Sequence, residues 1–539
     1  MAQNAIFGIN SNLDTGGIID NLVALQRSPI NLVEAKRSIE ESKLLNFQDL
    51  KGRLQTFKGI VTTLNSDAKF LSTQGDFSNN NSLDTNSVVN LSTSSQATSG
   101  TFSFTVNNLA RESKLISDGF DSTTATIPKG TLDLGVGDES VTITIDDTND
   151  TVEGLRLAIN NSGLDVKASF INDGSSTNPV RLAVSGTKSG VDNAVTIGIT
   201  GFLFGAGTEN LVNFTETQSA QNSNFVLDGV AITKSGNVVS DVIDGTVLTL
   251  ESAGSGTLTL SSDTEEIKDK IQNYVDGFNE IMTHLNDLLS LNTDTLETSV
   301  LFANFTVQNL QQTLRETISN QIVGVTGDFE YLSQIGIRTA SDGTISVDDG
   351  DLSDALAADV GNVSQLFSSS ASTTDPAVTF VGFTKDTKPG GYQVQVSNGV
   401  PQLAASGTST FVDAVGAGNF FAGAPGTDAE GLNFRISNLA DDSYGNITLS
   451  IGAAEISNRI LTTLTDSSLE GPLESEIDSA TETIQDFEET IIDLEERLVL
   501  FEENLRERFT NLEVTLGRLN SQKDAFDSSI DGIKSLFSG

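Results

Sequence analysis

Asp146, Asp147, Asn149 and Asp150 put four oxygen-bearing side chains into five positions. Such a run could wrap a calcium ion. It lacks the glycine at the sixth position and the closing bidentate glutamate that a helix–loop–helix calcium site needs. The spacing therefore reads as a turn, with Thr151 as the cap of a following helix. Asp348, Asp349 and Asp351 around Gly350 read the same way, as a β-turn. His284 is the sole histidine and the chain has no cysteine. One imidazole on a helix flank beside Leu285, without thiolate partners, cannot build a zinc site. Glu488, Glu489, Glu495, Glu496, Glu502 and Glu503 could supply a carboxylate pair at glycosidase spacing by chance, but they fall on the solvated faces of a helix. A Gly-x-Ser-x-Gly elbow, a phosphate-binding loop and a cysteine nucleophile are all missing. The expectation is a protein that is not an enzyme, with no catalytic, cofactor-binding or metal-ligating residues and no cofactor.

Length and charge narrow the class further. At 539 residues the chain has room for about three to five domains. Asp and Glu number 73 against 30 Lys and Arg, for a net charge of −43. That field repels nucleic acid and anionic membrane surfaces, so neither is an expected partner, and salt should favour self-association. The absence of cysteine fits an exported chain that avoids thiols, and also a cytosolic chain that lacks them by chance. The opening MAQNAIFGINSNLDTGG has no basic region and no apolar stretch, so a cleaved secretory signal is not expected. No apolar run reaches the length of a membrane span.

The elements that would carry any function are at the two ends. Phe47, Leu50, Leu54, Phe57, Val61, Leu64, Ala68 and Leu71 step by threes and fours. So do Leu473, Ile477, Ala480, Ile484, Phe487, Ile491, Leu494, Leu498, Phe501 and Leu505. Each set makes one stripe along a helix, and two stripes at opposite ends of a chain predict that the termini meet as a helical stalk. The N-terminal part predicts a short helix from about Ile18 to Arg27, a break at Ser28-Pro29, and a second helix to about Leu71. The C-terminal helix starts at Gly471-Pro472 with Glu474 and Glu476 in its first turn. It continues through Leu512, Leu516, Leu519, Phe526, Ile530 and Ile533, with a stutter at Phe501–Leu505–Phe509.

Between the ends the chain reads largely as strand and turn. Residues 76–98 are rich in Ser, Asn and Thr and predict a linker. Strands alternate at 101–106 and 141–145, with a helix at about Val152 to Asn160, and resume at 181–184, 225–227 and 247–250. A helical stretch from Thr264 carries Ile267, Ile271, Tyr274, Phe278, Ile281, Leu285 and Leu288, and another covers about Leu301 to Ile322. A hairpin follows at 335–347, then a Gly- and Ala-rich β region. The fold class is α+β and multidomain: long terminal helices forming a coiled-coil-like stalk (legs), with nested β-rich head domains. The expected domains are an N-terminal leg segment (1–45), a stalk helix and linker (46–98), nested β-rich head domains (99–262, inner insert about 116–218), a helical stalk part with a hairpin (263–375), an additional β-rich insert (376–465) and the C-terminal stalk and leg helix (466–539).

The residues also carry a family resemblance. Phe7-Gly8-Ile9 to Leu13-Asp14, Ile18 to Leu22 and Arg27-Ser28-Pro29 are similar to the N-terminal signature of the bacterial flagellar filament-cap family, hook-associated protein 2. Phe104-Thr105-Val106 with Leu109-Ala110, Asp228-Gly229-Val230 with Asn237 to Gly245, and Ile271 to Val275 with Phe278-Asn279 follow in the family's order. The closest likeness is Ile335-Gly336-Ile337, Asp342-Gly343-Thr344, Val347-Asp348, Leu352, Ala355-Leu356 and Val363 to Phe367. Thr151 to Asn160 with Arg181-Leu182 resembles an insert shared with flagellin relatives. The region 376–452 departs from a minimal cap.

The resemblance implies a structural assembly protein that caps the tip of the bacterial flagellar filament. It would leave the cell through the flagellar export channel without a cleaved signal and lie outside the cell at the flagellum tip. It would form a homo-oligomeric ring there, retain exported flagellin and promote its folding and insertion. Flagellin, the hook–filament junction protein and a flagellar export chaperone are the implied partners, with no membrane insertion. Two alternatives stay open: another axial protein (flagellin or a hook–filament junction protein), or a surface adhesin with a role in cell adhesion. The candidate self-association or leg contacts are Leu22, Leu25, Phe47, Leu54, Phe57, Leu498, Leu505 and Phe509. Packing within the stalk is an equal reading of them.

Overall fold

A computed structural model describes residues 8, 11, 13–80, 87–200, 212–469 and 471–537; Phe7 and Ile9 of the N-terminal signature lie outside them. The fold is α+β and multidomain. Ten α-helices lie among the described residues: α1 Thr15–Gln26, α2 Ser28–Val61, α3 Asp67–Phe70, α4 Val152–Asn160, α5 Thr264–Leu288, α6 Phe305–Ser319, α7 Asp349–Ala358, α8 Val360–Phe367, α9 Ala453–Thr465 and α10 Pro472–Phe537. They and the sheets divide into two compact units. One comprises residues 1–66, 270–355 and 362–539; the other comprises 67–269 and 356–361.

In the first unit the ends of the chain are helical. Asp14 caps α1 by accepting from Gly17 N at 2.9 Å. Only Arg27 separates α1 from α2, and it is itself in the right-handed helical region (φ −75°, ψ −17°). The expected break at Ser28-Pro29 is thus a joint. Proline in a first turn removes only a donor that has no partner there, so it costs the helix little. Ser28 is the first residue of α2 and makes no side-chain cap. α2 also stops ten residues short of the expected Leu71. Leu64 remains buried beyond its end, while Ala68 is exposed. A stripe that outlasts its helix is a core requirement met by a turn. Likewise α6 is shorter than the expected 301–322, because Asn304 caps it by accepting from Val307 N at 3.0 Å. Leu301 and Ile322 are buried outside it.

The expected hairpin is present in this unit, with Ile337–Thr339 paired to Ile345–Val347, and its larger sheets run from Ser369 to Ile451. One five-stranded antiparallel sheet has the order 369–373, 442–451, 390–397, 400–405, 412–413, and a four-stranded sheet has 378–382, 433–436, 420–422, 415–417. They enclose a core that includes Tyr392, Val394, Leu432, Phe434, Ile447 and Leu449. The first and last strands pair directly, Ser369 opposite Ile451.

The second unit repeats that closure twice. Its outer five-stranded sheet begins with Thr73–Asn79 and ends with Gly254–Ser262, which pair from Thr73↔Ser262 to Asn79↔Gly256. Val89–Thr93 pairs with Thr246–Leu250. The segment expected to be a linker therefore contains two strands. Its alternation is of half-buried and exposed residues, as in 73–79, and that pattern is too polar to register as apolar periodicity. Nested inside, Lys114–Phe120 pairs with Phe214–Gln218, around a separate core of Phe120, Leu132, Leu155, Ile159 and Leu182 with α4.

Candidate functional site

The acidic turns carry residue types that invite chemistry. Asp146 accepts from Thr148 N at 2.9 Å and Thr148 Oγ1 at 2.6 Å. These bonds hold its carboxyl below the usual carboxylate range. Asn149 donates to Thr144 O at 2.8 Å, Lys129 pairs with Asp147, and Thr151 caps α4 at 3.0 Å from Gly154 N. Asp146 and Asn149 thus fold the turn back on itself, and Asp147 takes Lys129 from outside it. Asp348 accepts from Gly350 N and Asp351 N, both at 3.1 Å, and so starts α7. Asp351 pairs with Arg338 at 2.8 Å.

His284 lies on α5 against α2. Its Nε2 is 3.3 Å from Asp49 Oδ2 but off-line for a hydrogen bond. Arg53 bridges Asp49 and Glu280, both at 2.8 Å. Burial, and then the charge of Arg53, lower the imidazole pKa against the pull of Asp49, Asp287 and Glu280. This favours a neutral ring that fills space. A groove of about 1010 Å³ lies between α6, α9 and the 383–385 loop. Arg459 occupies its floor, with Nε 3.1 Å from Glu455, Nη1 3.0 Å from Lys385 O, and the guanidinium 5.1 Å from the Phe383 ring centre. Its polar groups thus face one another.

The remaining candidate is the pair of terminal helices, α2 and α10, which pack along each other. Ile30 on α2 is buried against Ile491 and Leu498 on α10, with Val23, Val33 and Leu494 around them. Lys51 and Glu474 pair at 2.5 Å and Arg27 and Glu495 at 3.6 Å. Glu476 accepts from Thr306 Oγ1 at 2.8 Å, tying the start of α10 to α6. Farther along, buried Glu513 accepts from Ser11 N at 3.3 Å and from its hydroxyl.

The candidate contact residues fall into three environments. Phe47, Leu54 and Phe57 are 0–2% exposed. The Phe57 ring lies 5.5 Å from Tyr274 and 6.4 Å from Phe278 of α5. Tyr274 in turn meets Phe367 at 5.9 Å and shares a 3.1 Å hydrogen bond with Ser457 of α9, and burial pushes its phenol up to about 12. Leu498 sits in the α2–α10 seam, while Leu505 and Phe509 are half-buried farther along α10. Leu22 and Leu25 are exposed, Leu25 to 72%. Sequence reasoning missed Val23, Ile30 and Val33, the α1–α2 side of the seam. The signal was there in the seven-residue step from Val23 to Ile30, but polar Arg37 and Glu40 break the stripe before Phe47 resumes it.

Comparison with known proteins fits this picture. The profile of the flagellar hook-associated protein 2 C-terminus matches residues 220–521 and that of its N-terminus matches residues 11–113. The B-type flagellar hook-associated protein 2 of Pseudomonas aeruginosa is 28% identical over 390 residues, covering 67% of this chain and 79% of that one. The flagellar hook-associated protein 2 of Escherichia coli K12 is 27% identical over 387 residues, covering 68% and 80%. In fold, the chain is similar to the D1–D2–D3 domains of the flagellar cap protein FliD from Escherichia coli, with a TM-score of 0.54 and 22% identity over 81% of this chain and 99% of that one. With more than half of its length matched by the family profile, this chain belongs to the flagellar hook-associated protein 2 family.

Proposed function

We propose that this chain is a structural assembly protein that caps the tip of the bacterial flagellar filament, retains exported flagellin beneath it and promotes flagellin folding and insertion. The observation that carries this reading is the family match over both halves of the chain, joined to a pair of long terminal helices. Such helices are suited to contact a growing lattice. The chain would act as a homo-oligomeric ring outside the cell and reach the tip through the flagellar export channel. Flagellin would be its working partner, with the hook–filament junction protein and an export chaperone met on the way. Residues 1–45 and 466–539 would form a coiled-coil leg, 46–66 and 263–375 the rest of the stalk, and the head, expected over 99–262, would take in the strands from Thr73 onward that pair with it. Residues 376–465 would be an added β-rich domain.

Among the candidate contacts, Leu22 and Leu25 would face neighbouring axial subunits. Phe47, Leu54 and Phe57 would hold the stalk together, and Leu498, Leu505 and Phe509 would serve both ends. The distal part of α10 supports a leg that orders on contact, because Leu512, Leu519, Phe526 and Ile533, each seven residues after the last, are all exposed. The test is gene deletion with and without restoration. Unpolymerised flagellin spilling into the medium, and its recovery onto cells by the restored gene, is the expected result. Filaments of normal length without the gene would refute the reading.

A further inference from the structure

The face of α2 turned away from α10 carries a second seam. With Ile30, buried against α10, as the reference direction, Leu32 and Ile39 stand about half a turn round α2, and Leu25, at the end of α1 and joined through helical Arg27, continues their row. They are 72%, 60% and 54% exposed. They recur every seven residues, and three residues after each comes a small side chain: Ser28, Ala35 and Ser42. This is the a and d pattern of a helix that takes another helix alongside it, with small d residues that permit close approach. Lys36 and Lys43, also seven apart, border the seam. α2 runs against the charge of the chain, since its basic residues outnumber its acidic ones six to four.

α10 carries the complement. It holds seventeen acidic residues against six basic. Ile492 and Val499, seven apart and 57% and 55% exposed, stand about a quarter turn round from the Ile491–Leu498 seam. Glutamates sit three and four residues to either side of both: Glu488, Glu489, Glu495, Glu496, Glu502 and Glu503. The α10 of the same copy cannot reach Leu32, because it already occupies the opposite, Ile30, side of α2.

We propose that the row formed by Leu25 at the end of α1 with Leu32 and Ile39 of α2 receives the Ile492–Val499 face of α10 from a second copy of this chain, with Lys36 and Lys43 meeting its glutamate rows. The apolar positions supply the contact, and the flanking charges choose the partner and the register. Two different surfaces meet, so the contact is heterologous and each copy can pass it on to the next until a ring closes. This deepens the assembly reading and rests on it.

The chain has no cysteine, so introduced thiols report the contact cleanly. Full-length Leu32→Cys and Val499→Cys proteins are prepared separately, mixed, oxidised and resolved without reductant. Facing seam positions bring Cα atoms within disulfide reach, about 6 Å. The expected result is a mixed disulfide well in excess of either like pair. It should be lost when Leu25→Glu is added to the first chain and regained from a Lys36→Glu loss by Glu496→Lys in the second. All these positions are exposed or half-exposed, so the folded chain is retained, which circular dichroism checks. Like-with-like cross-links between Leu32→Cys chains, or a mixed product no stronger than that of an exposed control pair such as Ser175→Cys with Val499→Cys, overturn the proposal. Flagellin retention by the uncrosslinked chain would leave the cap reading standing in either case.

Discussion

The two halves of α2 show what one periodic signal can mean. From Phe47 to Val61 the stripe is sealed on all sides, with Phe57 against the rings of Tyr274 and Phe278 and α9 packed close by. From Ser28 to Asn46 the helix packs on α10 along one side and carries a wet apolar row on the other. Burial makes the first half part of the folding unit. Exposure leaves the second half with apolar area that folding has not used. A heptad therefore states that something will cover the stripe and leaves open whether the cover belongs to the same copy.

That contrast can be broken, with effects expected to decrease in size. Phe57→Ala should cost about 3–5 kcal/mol, because it leaves a cavity beside the rings of Tyr274 and Phe278. Loss of helical signal in denaturant would measure it, and a cost below that of the next variant would end the distinction between the halves. Ile30→Ala should cost about 2 kcal/mol, at the low end for such truncations, since its seam can partly collapse. Its hydrogen-exchange signature should stay confined to α1, the Ser28–Asn46 half of α2 and the facing part of α10. Lys51→Ala should cost about 1 kcal/mol or less, because the Glu474 pair is only partly shielded. Leu32→Glu should change stability by less than about 0.5 kcal/mol, as at an exposed site, while weakening self-association in sedimentation.

The sealed half also predicts a pH response. His284 has a folded pKa below its ordinary value of 6.5. The unfolded chain therefore binds the proton more readily, and stability should fall as pH drops from about 6.5 toward the folded pKa. His284→Asn should flatten that slope in thermal melts taken from pH 7 to pH 5. An unchanged slope would place the titration elsewhere.

Local signals were the legible ones. Thr151 as the cap of α4, Pro472 at the start of α10 and the stripe of α5 could be read because each depends on residues within a few positions. The strands Thr73–Asn79 and Val89–Thr93 could not, because their partners, Gly254–Ser262 and Thr246–Leu250, lie more than 150 residues away. Nothing in a polar, half-exposed stretch announces such pairing. Phe47, Leu54 and Phe57 were legible as apolar helix positions, but their covers on α5 and α9 were not. The C-terminal limit of α2 was misread for the same reason. Leu64 keeps the apolar rhythm after the helix has ended, because the core asks for a side chain in place and not for a continuous helix.

Three times in this chain a long excursion leaves and returns on strands that are bonded to each other: Thr73 opposite Ser262, Ser117 opposite Phe214, and Ser369 opposite Ile451. Each excursion is therefore a cassette whose two cut points are neighbours. Genetic exchange at such a place can insert, delete or replace more than eighty residues while the flanking backbone keeps its spacing. The looped-out β regions can then diversify in length and surface without asking the terminal helices to change, and a laboratory can graft a foreign domain at the same joints.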